Sequence, residues 1–398
     1  MRAPLPALLL MLFVAIVPAG AQSDSAGRST GQANGDVALD SAAQTDSLHG
    51  QGFDMSHYLL KQKGFLPVPI IITEPAIGYG GGLAGIWFGD QPAAEPGEEH
   101  KIQTPPITGA AAFYAGSSYG VGAGMYRPLH DDKIRYLGVV LGTSLGLKFY
   151  GFDPGAPLAA NPLNYTFKLV GTLQRVQYRL RESPFYVGAH YLFGSTKSDF
   201  TTDFVARPAG VGSRDLKYTV SGAGLSGEYD TRDNFLDARR GQDVTMNVTW
   251  YGQALGGTTN FGKFRTAALL YDELDDQWSY GIRLDGRTAW GEVPFFDAPY
   301  VSLRGITAQQ FSNNVAMMNE DELLYRVAPR WYAVGFGGIG YSAPALHDLG
   351  SGHSSYAGGA GVRYLLATRL GLRTGVDLAW GTGGTGPAIY FQIGSAWR

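Results

Sequence analysis

Three glycine-bearing stretches have spacings that elsewhere carry chemistry. Gly335-Phe336-Gly337-Gly338-Ile339-Gly340 has the spacing of a dinucleotide-binding turn. That turn works between a strand and a helix, where free amides cradle a pyrophosphate, and no helical period follows Gly340. Gly116-Ser117-Ser118-Tyr119-Gly120 and Gly142-Thr143-Ser144-Leu145-Gly146 match the serine-hydrolase elbow. The elbow also needs a strand-to-helix turn, whereas both stretches read as glycine-rich strand. The seven histidines are scattered, and none is spaced from another as a metal-ligand pair. His190, on a strand that also carries hydroxyls, is the only opening for a hydrolase, and no Ser–His–acid set can be placed around it. No catalytic, cofactor-binding or metal residue is assigned, and no cofactor is expected.

The charged residues are more informative. Asp230-Thr231-Arg232-Asp233-Asn234-Phe235-Leu236-Asp237-Ala238-Arg239-Arg240-Gly241 mixes both signs densely between two strands. As a solvated turn its salt bridges would each be worth at most about 1 kcal/mol. Leu303-Arg304-Gly305-Ile306 lies in a long connection, 291–319, behind Val293-Pro294-Phe295-Phe296. Long irregular connections inside compact folds are usually functional. A third run leads from Gly361-Val362-Arg363-Tyr364-Leu365-Leu366 through Asp377 to Trp397.

The elements that must position these residues are strands. In Leu372–Trp380, Leu372, Thr374, Val376, Leu378 and Trp380 share one face, and Arg373, Gly375, Asp377 and Ala379 the other. One face can meet lipid while the other keeps charge in a lumen. At the C-terminus Ile389, Phe391, Ile393 and Trp397 alternate with Tyr390, Gln392, Gly394 and Ala396. Fifteen such segments run from 76–89 to 386–397. A bacterial single-chain barrel has an even number of strands, so one segment before residue 214 is missed and sixteen is the expected count.

Composition agrees with this reading. Of 398 residues only 16% are charged, against about 25% in an ordinary soluble domain. There are 57 Gly, 23 Tyr, 20 Phe and 7 Trp, a mixture suited to lipid-facing strands with aromatic girdles. No apolar run is long enough for a membrane-spanning helix. A net charge of −3 gives no field for nucleic acid, and the absence of cysteine removes disulfide and thiolate chemistry. Arg2, the apolar core Leu8–Val17 and Ala19-Gly20-Ala21 read as a secretory signal over 1–21 with cleavage after Ala21. Residues 22–64 are polar and read as a disordered linker, leaving 65–398 as the barrel.

On these motifs the chain resembles the BamA/TamA superfamily of outer-membrane assembly and translocation barrels, the bacterial surface antigen family. Asp230, Arg232, Asp233, Asn234, Arg240 and Gly241 match its Asp-Thr-Arg-Asp-Asn…Arg-Gly turn. Leu303-Arg304-Gly305-Ile306 resembles the motif of its sixth extracellular loop, which folds back into the lumen and is followed by five strands. Phe65-Leu66-Pro67-Val68-Pro69 with Gly78 to Gly82 is similar to the opening of its shorter members. The forty to fifty mature residues before the first strand are too few for a POTRA module of about 75 residues, the resemblance implies, so chaperone-fed insertion does not follow. The family's Phe-x-Asp-x-Gly strand motif, whose Asp pairs with the loop Arg, falls on Phe336, Gly338 and Gly340, so Gly338 stands where the acid belongs. Arg304 must find another carboxylate. Alternation favours Asp377, ahead of Glu228 and Asp230. Phe391, Ile393 and Trp397 form the expected C-terminal assembly signal, with Arg398 after the usual terminal aromatic.

The resemblance implies an all-β transmembrane antiparallel barrel in the Gram-negative outer membrane, with an inward-folded extracellular loop. Its expected partners are outer-membrane lipids, the assembly machinery during biogenesis, and a polypeptide or lipid cargo. A seam between segments 76–89 and 389–397, or the Arg304 loop, would open. The alternatives are a passive or gated pore, with Arg373 and Asp377 setting selectivity, and an outer-membrane enzyme.

Overall fold

The computed structural model describes Asp54, residues 65–73, 76–88, 106–152, 157–201, 216–234, 237–368, 371–384, 386–395 and Trp397. The signal reading of 1–21 and, except for Asp54, the linker reading of 22–64 lie outside these residues. Sixteen strands follow one another: β1 (Phe65–Ile72), β2 (Gly80–Phe88), β3 (Ile107–Ala115), β4 (Ser118–Leu129), β5 (Ile134–Phe149), β6 (Leu163–Arg179), β7 (Phe185–Phe200), β8 (Lys217–Asp230), β9 (Gly241–Tyr251), β10 (Phe261–Glu273), β11 (Trp278–Gly291), β12 (Val315–Ala328), β13 (Trp331–Ala343), β14 (His353–Ala367), β15 (Leu372–Gly381) and β16 (Ala388–Ile393). They form one antiparallel sheet in sequence order, curled into a nearly closed barrel. No helix among the described residues is long and apolar enough to cross a membrane, which leaves crossing by strands untouched.

Alternation sorts the side chains by face. Outside, Val170, Phe193, Leu225, Leu284, Leu323, Val362 and Leu378 are exposed. Trp278 and Trp331 stand at one end of the strands, and Trp250, Trp290 and Trp380 at the other, all exposed. That distribution, apolar side chains between two aromatic rows, is that of a barrel in lipid. The inner face is divided. Leu137, Leu141, Leu145, Phe149, Tyr165, Phe167 and Leu169 make an apolar cluster on β5 and β6. Arg283, Asp285, Arg287, Glu320, Glu322, Arg363, Arg373 and Asp377 lie buried on β11, β12, β14 and β15.

The missing strand is β1. Pro67 and Pro69 hid it, because proline cannot donate to a ladder and argues against a central strand. β1 is an edge strand: it pairs with β2 from Phe65↔Trp87 to Ile72↔Gly80, and no ladder joins it to β16 among the described residues, though the two touch. Pro67 and Pro69 have the same parity. Their nitrogens are tolerated only where they point away from β2, which strips two donors from the edge that faces β16. The seam expected at 76–89 therefore moves to β1. The glycines of that segment serve a different purpose. A Cβ on Gly80 or Gly82 would sit 2.0 or 2.3 Å from a carbonyl oxygen of β3, so they permit close approach between two paired strands.

At the end where β12 turns into β13 and β14 into β15, Asp54 is bonded to the barrel. Its Oδ2 accepts hydrogen bonds from Arg330 Nη2 at 3.0 Å and Thr368 Oγ1 at 2.6 Å. The edge argument makes a prediction. Pro67→Val with Pro69→Val restores two donors, so the double variant unfolds at higher temperature than the native chain in heated-gel mobility assays. Equal or lower thermal resistance would show that the seam is not limited by these donors.

Candidate functional site: a loop arginine in a cluster of strand charges

The connection between β11 and β12 buries two anchors. Phe295 meets Phe149, Tyr165 and Phe200 at ring-centroid separations of 5.2, 5.3 and 5.7 Å, and Phe296 meets Phe167 and Tyr218 at 5.0 and 5.5 Å. Gln309 continues this contact, accepting from Tyr165 Oη at 3.1 Å and donating to the Phe296 carbonyl at 3.0 Å. Leu303 and Ile306 pack with Val301, Phe311, Ala316 and Met318.

Arg304 is the second anchor, 2% exposed. Its Nε donates to Glu320 Oε1 at 2.9 Å, and Nη1 to Glu322 Oε2 at 2.7 Å and Asp377 Oδ2 at 2.8 Å. Its backbone N–H also reaches Glu320 Oε1 at 3.3 Å, and its guanidinium carbon lies 3.6 Å from the centre of the Phe336 ring. Two strand arginines complete the balance. Arg363 grips Asp377 with both Nη atoms, at 2.5 and 2.9 Å, and Arg283 Nη1 lies 3.6 Å from Glu320 Oε2. Arg283, Arg304 and Arg363 thus face Glu320, Glu322 and Asp377. A buried charge is tolerated when it is paired and hydrogen-bonded.

Backbone chemistry sets the loop's approach. Gly305 has φ +98°, and a Cβ there would lie 2.6 Å from the Trp380 carbonyl carbon at the end of β15. The Gly305 N–H donates to Tyr390 Oη on β16 at 2.9 Å. Only a residue without a side chain brings Arg304 this close to the last two strands.

Of the three candidate acids, Asp377 is at Arg304. Glu228 lies elsewhere, accepting from Gln177 Nε2 at 2.8 Å and Arg135 Nη1 at 3.5 Å, and Asp230 is held by Arg232 at 2.9 and 3.0 Å. Both sit at the β8 end, which is given over to the turn. Glu320 and Glu322 were missed. The signal was present, since Met318, Glu320, Glu322 and Leu324 fall on one face of β12. Glu320 pairs directly with Gly338 across the ladder. The carboxylate that the family motif would place at 338 is therefore supplied from the neighbouring strand, and Gly338 leaves room for the loop: a Cβ there would lie 3.0 Å from Leu303 Cδ2.

In the 230–241 turn the described charged residues hold one another and the adjoining strands. Arg232 bridges Asp230 and Asp243, the latter at 3.1 Å. Asp233 Oδ1 accepts the backbone N–H groups of Arg239 at 3.0 Å and Arg240 at 3.2 Å, and Asn234 Oδ1 that of Asp237 at 3.4 Å. Arg240 reaches Glu273 at 2.9 Å. Gly241 has φ +93°, with Thr231 O where a Cβ would stand. Asp237, the turn's buried acid, takes Arg373 in a bidentate pair of 2.6 and 2.5 Å. Arg373 and Asp377, on the same face of β15, thus have separate partners.

The C-terminal residues divide. Phe391 and Ile393 are exposed on the outer face, while Trp397 is 2% exposed and its Nε1 donates to Glu320 Oε2 at 2.7 Å. β16 ends at Ile393 and Gly394 adopts φ +74°, which breaks the alternation that placed Trp397 beside the other two. The tail and the loop therefore grip the two oxygens of one carboxylate. His190 Nε2 lies 2.8 Å from Thr249 Oγ1.

Two variants test the cluster. Arg304→Ala leaves Glu320 and Glu322 short of cation and lowers stability by about 3–5 kcal/mol in urea unfolding from lipid vesicles. Trp397→Phe, which removes one hydrogen bond to a charged acceptor, costs about 1.5–3 kcal/mol. Loss of less than about 1 kcal/mol for Arg304→Ala would contradict a buried pairing.

The fold and this cluster can be set beside known proteins. No curated protein sequence matches the chain. BamA from Haemophilus ducreyi lacking POTRA domains 1–3 superposes with a TM-score of 0.54 at 12% identity, over 83% of this chain and 70% of that one. CdiB from Escherichia coli gives 0.53 at 12%, over 84% and 62%, and CdiB from Acinetobacter baumannii 0.53 at 11%, over 83% and 60%. The chain thus spans less than two thirds of either CdiB, and identities this low speak for the fold alone. The Omp85 superfamily domain matches residues 110–305, from β3 to the Arg304 motif. The chain thus combines a match to the Omp85 superfamily domain over about half of its length with the sixteen-stranded barrel fold that it shares with BamA and CdiB, a likeness that supports placement in the outer membrane.

Proposed function

We propose that this protein is a gated barrel for assembly or translocation at the outer membrane, closed at rest by residues 292–314 folded into its interior. The observation that carries this reading is the double anchoring of that connection. Phe295 and Phe296 enter the apolar inner cluster, and Arg304 enters the charged one. A connection needed only to join two neighbouring strands could be a few residues long. This one spends its length on reaching both halves of the inner face.

The mechanism is physical. Cargo, a polypeptide or a lipid, passes when the connection leaves its anchors or when β1 and β16 part at the edge that lacks a ladder. The two routes are linked, because Gly305 N–H holds Tyr390 of β16 and Trp397 holds Glu320. Family relationship does not by itself fix the cargo. The second reading, a passive pore, requires an open lumen, and the aromatic packing around Phe295 stands against it. No enzymatic step is part of the proposal.

Planar-bilayer recording tests it. The native chain gives small, flickering conductance, and deletion of residues 297–312 in the connection raises it several-fold into a steady level. A large, steady conductance in the native chain would establish the pore instead. Deleting the gene in the native host then reads the physiological role: an altered outer-membrane protein or lipid content is expected, and no change in either would refute an assembly role.

A further inference from the structure

The outer face of the barrel carries a feature that gating does not use. Lys168 on β6 is the cross-strand partner of Lys197 on β7, and Lys197 is the partner of Lys217 on β8. Three lysines therefore stand in one row across three adjacent strands, spanning about 10 Å at the usual interstrand spacing. All three are exposed, as is Lys148 on β5. Like charges placed directly opposite one another destabilise a sheet. Asp199 relieves part of the repulsion, lying 2.7 Å from Lys197 Nζ and 3.4 Å from Lys168 Nζ. Lys217 has no ion-pair partner among the described residues. The row keeps an excess of positive charge.

Its height is defined by its neighbours. Nearer the middle of the same strands and on the same face, Val170, Phe193 and Leu225 are exposed at 69%, 41% and 58%. The lysines lie beyond this apolar band, towards the end where β5 connects to β6 and β11 to β12. Long cationic side chains at the edge of a hydrocarbon band extend to the headgroup level. A lysine ammonium there is a point charge for phosphate.

We propose that Lys168, Lys197 and Lys217 form a binding site for the phosphorylated headgroup of an outer-leaflet glycolipid. The site fixes one lipid against the β6–β8 wall, on the strands that line the Phe295 and Phe296 cluster from outside. The assignment rests on the proposed placement of the barrel in the outer membrane with the 292–314 connection outward. Screening by salt weakens such a site, and removal of the lipid phosphates abolishes it.

The chain, reconstituted in phosphatidylcholine nanodiscs, is titrated with bis-phosphorylated lipid A and followed by native mass spectrometry. The triple variant K168Q/K197Q/K217Q binds about a hundredfold more weakly, while the triple arginine variant binds like the native chain. Dephosphorylated lipid A binds the native chain no better than it binds the glutamine variant. Equal retention of lipid A by the glutamine variant would overturn the proposal. So would displacement of lipid A by millimolar inorganic phosphate, which would make the site one for the free ion. Orientation is read separately. The chain has no cysteine, so Ser351→Cys in the β13–β14 connection is a unique label site. Labelling by an impermeant maleimide in intact cells supports the outward placement. Labelling only after permeabilisation would overturn that placement and the glycolipid site with it.

Discussion

A guanidinium removed from water must recover its lost hydration from fixed partners, and Arg304 recovers it from carboxylates on two different strands. This requirement organises the C-terminal half of the barrel. Glu320 and Glu322 must face inward on β12, Asp377 must face inward on β15, and Arg363 must stand between them on β14 to keep the acids from repelling one another. Gly305 must be glycine for the loop to come within reach, and Gly338 must be small for Leu303 to follow. Breaking one member of such a set costs far more than the set as a whole contributes, because the remaining charges stay buried. The cluster is therefore better understood as a device that specifies one position for the loop than as a source of net stability.

Where strong and weak attachment lie is consistent with that role. Fifteen strand pairs are joined by ladders, and the remaining boundary, β1 against β16, has none among the described residues. β16 is only six residues long, and β1 carries two prolines on one parity. Besides its ladder to β15, the C-terminal segment is held from inside, through Tyr390 to the loop and through Trp397 to Glu320. Under the proposed gating, these contacts would place the lumen and the lateral edge under the same control.

Much of this architecture was legible in the chain. Leu372–Trp380 shows the alternation in its plainest form, and the same alternation turns Asp377 to the side where Arg304 is found. The count of sixteen followed from the parity of barrels even though β1 could not be seen. Its prolines suppress the strand signal, and the reason they are tolerated, a free edge, is a tertiary fact. Glu320 escaped notice because the search for a carboxylate followed the family pattern to 338, whereas the ladder supplies it from directly across. Trp397 was grouped with Ile389, Phe391 and Ile393 by extending a period of two through Gly394, and a single residue with positive φ is enough to end that period. The pairing of Asp237 with Arg373 joins residues far apart in sequence and has no local signature at all.

The central claim is that residues 301–306 are held against strand charges in the resting protein. Hydrogen exchange of the native chain in lipid bilayers measures this without any substitution. The amides of residues 301–306 should exchange as slowly as those of β12, and Gly305, whose N–H is bonded to Tyr390, should be among the protected ones. Exchange of these amides at the rate of the exposed 274–277 turn would contradict the account.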